Sequence, residues 1–316
     1  MNTRTEKIRA AAKRLLSDGT VDVVMGYRAG TVPLRNAPYF ARTPEEADNL
    51  IWDSNCRVNL ATFIPRRQDK IAVVAKGCDA RNIINHLVEN QISRDRVYII
   101  GVPCEGMVDP ALIQAQVPDG KAISEAAEAG GQITVTGRDF AVTLEKAAVL
   151  RQNCRICLHR NPPIYDELVA DPVPEAAEDP YRDLDALLAQ SDADRWAYYH
   201  DLVKDCLRCY ACRDACPLCY CQVCFVDETM PQWVGKSQDA TDVLTFHLLR
   251  AFHCAGRCTD CGACESACPV GIKVRQFTRI LEKSIKERYG YEAGLDPSKK
   301  PPLTVFLPDD PQEFIT

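Results

Sequence analysis

Apolar residues recur at helical spacing near the start of the chain, at Ile8, Ala11, Ala12, Leu15 and Leu16. They predict an amphipathic helix over residues 4 to 17, with Gly19 as its stop. A short apolar run from Val21 to Met25 predicts a strand, and Gly26-Tyr27-Arg28-Ala29-Gly30 with the polar stretch to about Leu50 reads as connection. Ile71 to Ala75 has no polar interruption and reads as a buried strand. Lys76-Gly77-Cys78-Asp79 follows as a turn, and Ala80 to Asn90 as a helix with Ile83, Ile84, Leu87 and Val88 on its apolar face. Val97 to Val102 is the returning strand. Such a unit predicts a parallel strand pair joined by a right-handed crossover.

Further on, Ile133 to Thr136 and Phe140 to Val142 predict a hairpin around Gly137-Arg138-Asp139. Residues 171 to 180, rich in proline and acid, read as a linker or surface strap. Arg182 to Cys206 is largely helical in pattern. Asp242 to His253 predicts a helix with Leu244, His247, Leu248 and Phe252 in register, and a last helix spans about Lys273 to Arg288 before Gly290. The expected fold is therefore mixed α/β at the N-terminal side, followed by a helical and loop-rich region. Its divisions are residues 1–195, residues 196–290 and an extended tail over 291–316.

Composition narrows the function. The chain has 316 residues, 46% of them hydrophobic, and a net charge of −6 with both signs interspersed, so nothing argues for nucleic acid. Apolar runs are strand-sized, far short of a membrane span. No leader-like apolar segment opens the chain, which predicts a cytoplasmic protein. Seventeen cysteines in such a setting point to metal rather than to disulfides.

Their spacing carries the chemistry. Cys206-x-x-Cys209-x-x-Cys212-x-x-x-Cys216-Pro217 recurs as Cys258-x-x-Cys261-x-x-Cys264-x-x-x-Cys268-Pro269. This is the spacing of the bacterial two-cluster ferredoxin, where three thiolates of one run hold one [4Fe–4S] cube and the fourth reaches the other. The assignment is Cys206, Cys209, Cys212 and Cys268 for one cube, and Cys258, Cys261, Cys264 and Cys216 for the second. Structural zinc sites instead come as two cysteine pairs. A third site is expected from Cys154-Arg155-Ile156-Cys157 with two of Cys219, Cys221 and Cys224, as a further cube or a structural zinc. Cys254 and Cys56 read as packing residues. His86, His200 and His247 show no constellation, and no acid–base residues are expected to be catalytic.

Parallel neighbours at Ile71–Ala75 and Val97–Val102 would send the loops after them to one sheet edge, where open α/β sheets bind ligands. Those loops are Lys76-Gly77-Cys78-Asp79-Ala80-Arg81 and Gly101-Val102-Pro103-Cys104. A flavin pocket and a structural turn holding two buried thiols are both open readings. No G-x-G-x-x-G is present, so a dinucleotide fingerprint is unsupported.

With Cys157-Leu158-His159-Arg160-Asn161-Pro162 and Cys216-Pro217-Leu218-Cys219-Tyr220-Cys221, these stretches resemble the beta subunit family of coenzyme F420-reducing hydrogenase and F420-dependent formate dehydrogenase. The likeness extends over residues from about 20 to 270. It implies FAD on the α/β domain beside iron–sulfur clusters, with Lys76, Gly77, Cys78, Asp79, Arg81, Gly101 and Cys104 as flavin-pocket or near-cluster candidates. It also implies a catalytic partner subunit, of formate dehydrogenase, hydrogenase or heterodisulfide-reductase-like type, and a two-electron carrier such as coenzyme F420. One departure is order, because the dicluster module here follows the flavin-type domain. The alternatives are a flavin-free iron–sulfur conduit and a metal-holding assembly protein.

Overall fold

In the computed structural model, residues 3–176, 179–308 and 310 are described. They divide into two compact units: Met1–Leu60, Arg66–Ala80 and Ser93–Glu178 in the first, and Ala61–Pro65, Arg81–Ile92 and Asp179–Thr316 in the second.

The first unit opens with α1 (Thr3–Ser17), whose buried stripe is Ile8, Ala11, Ala12 and Leu15. Strands β1 (Val23–Arg28), β2 (Ala37–Ala41), β3 (Ile71–Ala75) and β4 (Val97–Gly101) follow; between the last two the chain forms α2 (Gly77–Val88), of which residues 77–80 count in this unit and the rest in the second. Helix α3 (Pro110–Gln114), strands β5 (Ile123–Ala129), β6 (Gln132–Gly137) and β7 (Phe140–Glu145), helix α4 (Gln152–Arg155) and strand β8 (Glu167–Leu168) complete it.

One sheet has the order β2-β1-β3-β4-β8. Strands β3 and β4 run parallel with Ile71 opposite Val97 and Val73 opposite Ile99, so the strand–helix–strand unit has the expected pairing. All five residues of β3 are buried, as a strand covered on both faces requires. The second sheet is an antiparallel β5-β6-β7 meander, whose β6-β7 pair is the expected hairpin. Ile133 and Val135 of β6 pack with Val108, Ile113, Val149 and Leu150.

Several boundaries differ from the sequence pattern. Gly26, Tyr27 and Arg28 belong to β1 rather than to a connection, because Tyr27 pairs with Pro38 of β2 and is fully buried. Strand β2 lies within the stretch read as polar connection. As an edge strand it needs no unbroken apolar run and tolerates Pro38. Strand β5 is exposed along nearly its whole length and carries no alternation to read. The Lys76-Gly77-Cys78-Asp79 turn is in fact the entry and first turn of α2.

In the second unit are α5 (Arg182–Leu188), α6 (Asp192–Leu202), α7 (Ala211–Asp214), α8 (Ala240–Cys254), α9 (Ala263–Ala267) and α10 (Arg275–Tyr289). Its core joins Val203, Val243, Leu244, Phe246, Ile272 and Phe277. Helix α10 ends at Gly290 in the left-handed region (φ 59°), the conformation a helix stop of this kind needs. The expected 171–180 strap and the tail are described only in part: residues 177, 178, 309 and 311–316 lie outside the described residues. No helix among the described residues is long and apolar enough to cross a membrane.

Candidate metal centres

The two cysteine runs repeat in backbone conformation as well as in spacing. Arg208 (φ 48°) and Asp260 (φ 54°), each just before the second cysteine of its run, are left-handed, and so are Tyr210 (φ 59°) and Gly262 (φ 69°) just after it. Left-handed residues turn the chain tightly enough for sulfurs three apart to face inward. The Arg208 amide donates to Cys206 Sγ and the Asp260 amide to Cys258 Sγ, both at 3.4 Å. Short helices α7 and α9 then carry the third cysteine of each run inward. Non-glycine side chains at these turns are held by outside partners. The Arg208 guanidinium donates to the carbonyls of Gly235 and Ser237, both at 2.6 Å. The Asp260 carboxylate accepts two bonds from the buried Arg275 guanidinium, at 2.6 and 2.5 Å.

Two cavities result. One, of about 340 Å³ with its mouth, is lined by Cys206, Cys209, Cys212 and Cys268. The other, of about 370 Å³, is lined by Cys258, Cys261, Cys264 and Cys216, with Cys254 on its wall. The structure thus brings the fourth cysteine of each run to the other run's cavity. The Ile272 amide donates to Cys268 Sγ at 3.3 Å. Four thiols around one recess, with amide donors to the sulfurs, are a donor set that fits an iron–sulfur cube. None of the seventeen cysteines is in a disulfide.

Helix α8 presents a face that its apolar residues do not foretell. Leu248 and Phe252 are exposed, whereas His247, Arg250 and Cys254 are buried at intervals of three and four. His247 Nε2 lies 3.4 Å from Cys206 Sγ, and burial pushes its imidazole down to about 3. Arg250 Nη2 donates to the Cys212 carbonyl at 3.1 Å. The sulfurs of Cys216, Cys219 and Cys254 all lie within 4.8 Å of one another. Hydrogen bonding to Cys219 and Cys254 holds the Cys216 thiol well below its ordinary range, and the same coupling holds the other two up. Cys254 is therefore no mere packing residue. Of the remaining thiols of this stretch, Cys221 is exposed and Cys224 packs at the edge of the core.

Residues 81–92 add a buried polar stripe to this unit. Arg81 donates to the Ala293 and Thr259 carbonyls at 2.9 and 3.4 Å, and Asn82 to Thr259 Oγ1 at 2.9 Å. Asn85 donates to the Arg257 carbonyl at 2.7 Å, and His86 Nε2–H to the Pro217 carbonyl at 2.8 Å. Glu89 accepts from Arg257 Nη2 at 2.7 Å. These partners flank both cysteine runs, so a helix face of five polar residues fixes the loops. Its signal in the sequence is the run Arg81, Asn82, Asn85, His86 and Glu89, at helical spacing opposite the apolar face.

In the first unit, Lys76 is buried and its ammonium meets Asp79 at 2.8 Å, the Val58 carbonyl at 3.2 Å and the Tyr27 hydroxyl. Asp79 also accepts from the amides of Leu60 and Lys76, both at 2.9 Å. At Gly77 an added Cβ would stand 2.1 Å from the His159 carbonyl oxygen, so the start of α2 presses on the segment after Cys157. The Cys104 amide donates to the Arg160 carbonyl at 3.0 Å, and beside Gly101 are Pro162, Tyr165 and Leu168. Burial pushes the Cys104 thiol up to about 12, with the sulfurs of Cys154 and Cys157 adding to it. The loops carrying Cys78, Cys104, Cys154 and Cys157 thus converge within this unit, while Cys219, Cys221 and Cys224 belong to the other. Cys56 is fully buried.

No family model matches the chain. Among curated proteins, the F420-dependent formate dehydrogenase subunit beta of Methanocaldococcus jannaschii is 25% identical over 364 aligned positions, covering 93% of this chain and 93% of that protein. The chain is homologous to F420-dependent formate dehydrogenase beta subunits. The F420-dependent formate dehydrogenase 1 subunit beta of Methanococcus maripaludis is 26% identical over 360 positions, covering 94% of this chain and 92% of that protein. A chain of the F420-reducing [NiFe] hydrogenase complex from Methanosarcina barkeri aligns with 51% of this chain and 59% of its own at 20% identity, with a TM-score of 0.35. The cysteine groupings of this chain fit iron–sulfur clusters.

Proposed function

We propose that the chain is the electron-transferring beta-type subunit of an F420-dependent oxidoreductase of formate dehydrogenase type. The observation that supports this most is the crossed pair of four-thiol cavities, taken with homology along almost the whole chain. In this reading Cys206, Cys209, Cys212 and Cys268 hold one cube, and Cys258, Cys261, Cys264 and Cys216 the second. A third cube is held by Cys78, Cys104, Cys154 and Cys157. That set comes from converging loops of one unit and is preferred to Cys154 and Cys157 with two of Cys219, Cys221 and Cys224.

When bound, such cubes supply one-electron transfer, and a flavin beside them supplies the exchange between electron pairs and single electrons. The chain's own residues fix positions and exclude water. Amides of Arg208, Asp260 and Ile272 point hydrogen at sulfur, which stabilises the reduced, more negative state. No acid–base residue is required. The partner of this subunit is a formate-oxidising catalytic subunit, and the carrier is coenzyme F420.

A flavin-free conduit is the second reading, and the occupied donors of Lys76 and Arg81 favour it. Anaerobic purification followed by iron, zinc and flavin quantitation separates the possibilities. The first reading expects about twelve irons and about one flavin per chain. Full iron without flavin establishes the conduit. Iron near four or below with stoichiometric zinc would overturn both in favour of a metal-holding assembly protein.

A further inference from the structure

A two-cube ferredoxin module needs one cysteine beyond the C-x-x-C-x-x-C loop for each cube. Beside the cavity of Cys258, Cys261 and Cys264 this chain supplies three. Cys216 and Cys254 both line that cavity, and Cys219 completes a triangle in which every sulfur lies within 4.8 Å of the other two. A change of cysteine rotamer moves its sulfur by about 3 Å, comparable to the spacing within this triangle. Charge is provided for as well. The buried Arg250 lines the same cavity as Cys216 and Cys254, so a fixed cation stands beside the alternative ligand positions. Its Nε has no hydrogen-bond partner among the described residues.

We propose that the second cube has an exchangeable fourth ligand, with Cys254 or Cys219 able to take the iron corner otherwise held by Cys216. In the exchange one iron–sulfur bond to Cys216 breaks and one to the incoming sulfur forms. The incoming thiol gives up its proton, the departing thiolate takes one, and no electron moves. The exchange would give the cube two ligation states, differing in hydrogen bonding at the ligand sulfur and hence in potential. The inference rests on the assignment of a cube to this cavity.

The test uses the full chain loaded with iron and sulfide under anaerobic conditions. Wild type must first show the electron paramagnetic resonance signals of reduced four-iron clusters; their absence would sink the cube assignment itself. Cys216→Ala is expected to keep the wild-type iron content and a four-iron signal with altered g-values. The triple variant Cys216→Ala/Cys219→Ala/Cys254→Ala is expected to lose about one iron and give the signal of an oxidised three-iron cluster. Cys219→Ala and Cys254→Ala alone are expected to keep all iron. The proposal is overturned if Cys216→Ala already shows the three-iron signal. It is equally overturned if either single variant loses a whole cube or a stoichiometric zinc, since that thiol is then a ligand elsewhere. Should Cys216→Ala not fold, Cys216→Ser takes its place: a four-iron signal that turns three-iron on adding Cys219→Ala and Cys254→Ala supports the exchange, and a three-iron signal in Cys216→Ser alone rejects it.

Discussion

Arg208 and Asp260 sit at equivalent places in the two cysteine runs and share one left-handed conformation, each aiming its amide at the first sulfur of its own run from 3.4 Å. Neither is glycine, so each turn is kept in place by side-chain bonds from outside the loop. For Asp260 that bond is a two-pronged contact with Arg275, whose side chain is 1% exposed. Asp260→Ala removes both bonds to this guanidinium, leaving its ion pair with Glu265, and takes away the side-chain anchor of a left-handed residue. The expected loss is about 3 kcal/mol. Asp260→Asn, at home in the left-handed region, loses less. Urea midpoints of the iron-loaded variants measure both, and an alanine variant as stable as wild type refutes the role given to Arg275.

Gly77 faces a backbone oxygen rather than a movable side chain. The His159 carbonyl, 2.1 Å from the place of a Cβ, would have to shift together with the segment that carries Cys157. Gly77→Ala is expected to cost about 3 kcal/mol. It should also lower the iron bound by the first unit while sparing the crossed cavities. Iron analysis after anaerobic reconstitution, paired with a thermal melt, reads both effects.

Glu128 fastens strand β5 by accepting from Ser54 N at 2.9 Å, Ser54 Oγ at 2.6 Å and Lys146 Nζ at 2.7 Å. Burial raises its carboxyl, but the Lys146 ammonium and the two Ser54 donors outweigh that and hold it below the ordinary range. With the folded value below the unfolded one, the stabilisation is complete above the ordinary glutamate range and fades as pH falls through it, where the unfolded chain binds more protons. Glu128→Gln should therefore cost about 1 kcal/mol near neutrality and almost nothing at the acid end. Parallel denaturant titrations along that pH series would show the two curves converging; parallel curves refute the assignment.

Cys268 belongs by sequence to the second run and by position to the first cavity. Cys268→Ala is accordingly expected to perturb the cube of Cys206, Cys209 and Cys212. Cys206→Ala should damage that same cube, and Cys258→Ala the other. Electron paramagnetic resonance of singly reduced samples distinguishes the two signals, and loss of the Cys258 cube in Cys268→Ala would contradict the crossed arrangement.

Spacing made the grouping of the eight cysteines around two cavities legible, because such a loop is a local object whose geometry follows from residue count. The β3-α2-β4 unit was legible for a similar reason, each strand being apolar throughout. What stayed hidden depends on contacts between distant segments. His247, Arg250 and Cys254 look like breaks in an amphipathic helix until the thiols they face are known. Arg81, Asn85 and Glu89 look like a solvated face, yet their partners are carbonyls and an arginine more than a hundred residues away. Edge strands β2 and β5 left no alternation, since an edge is half exposed and tolerates proline or acid.

The crossing of fourth cysteines makes the duplicated motif indivisible. A free-standing single run would have a loop and no closing ligand, and the copy it lacks lies beyond α8, whose buried face serves both cavities. Either half, excised, should fail to assemble a cube, so the two arise together or not at all. On the proposed ligation, a change in one copy is felt at the cavity of the other, and the two runs behave as one unit.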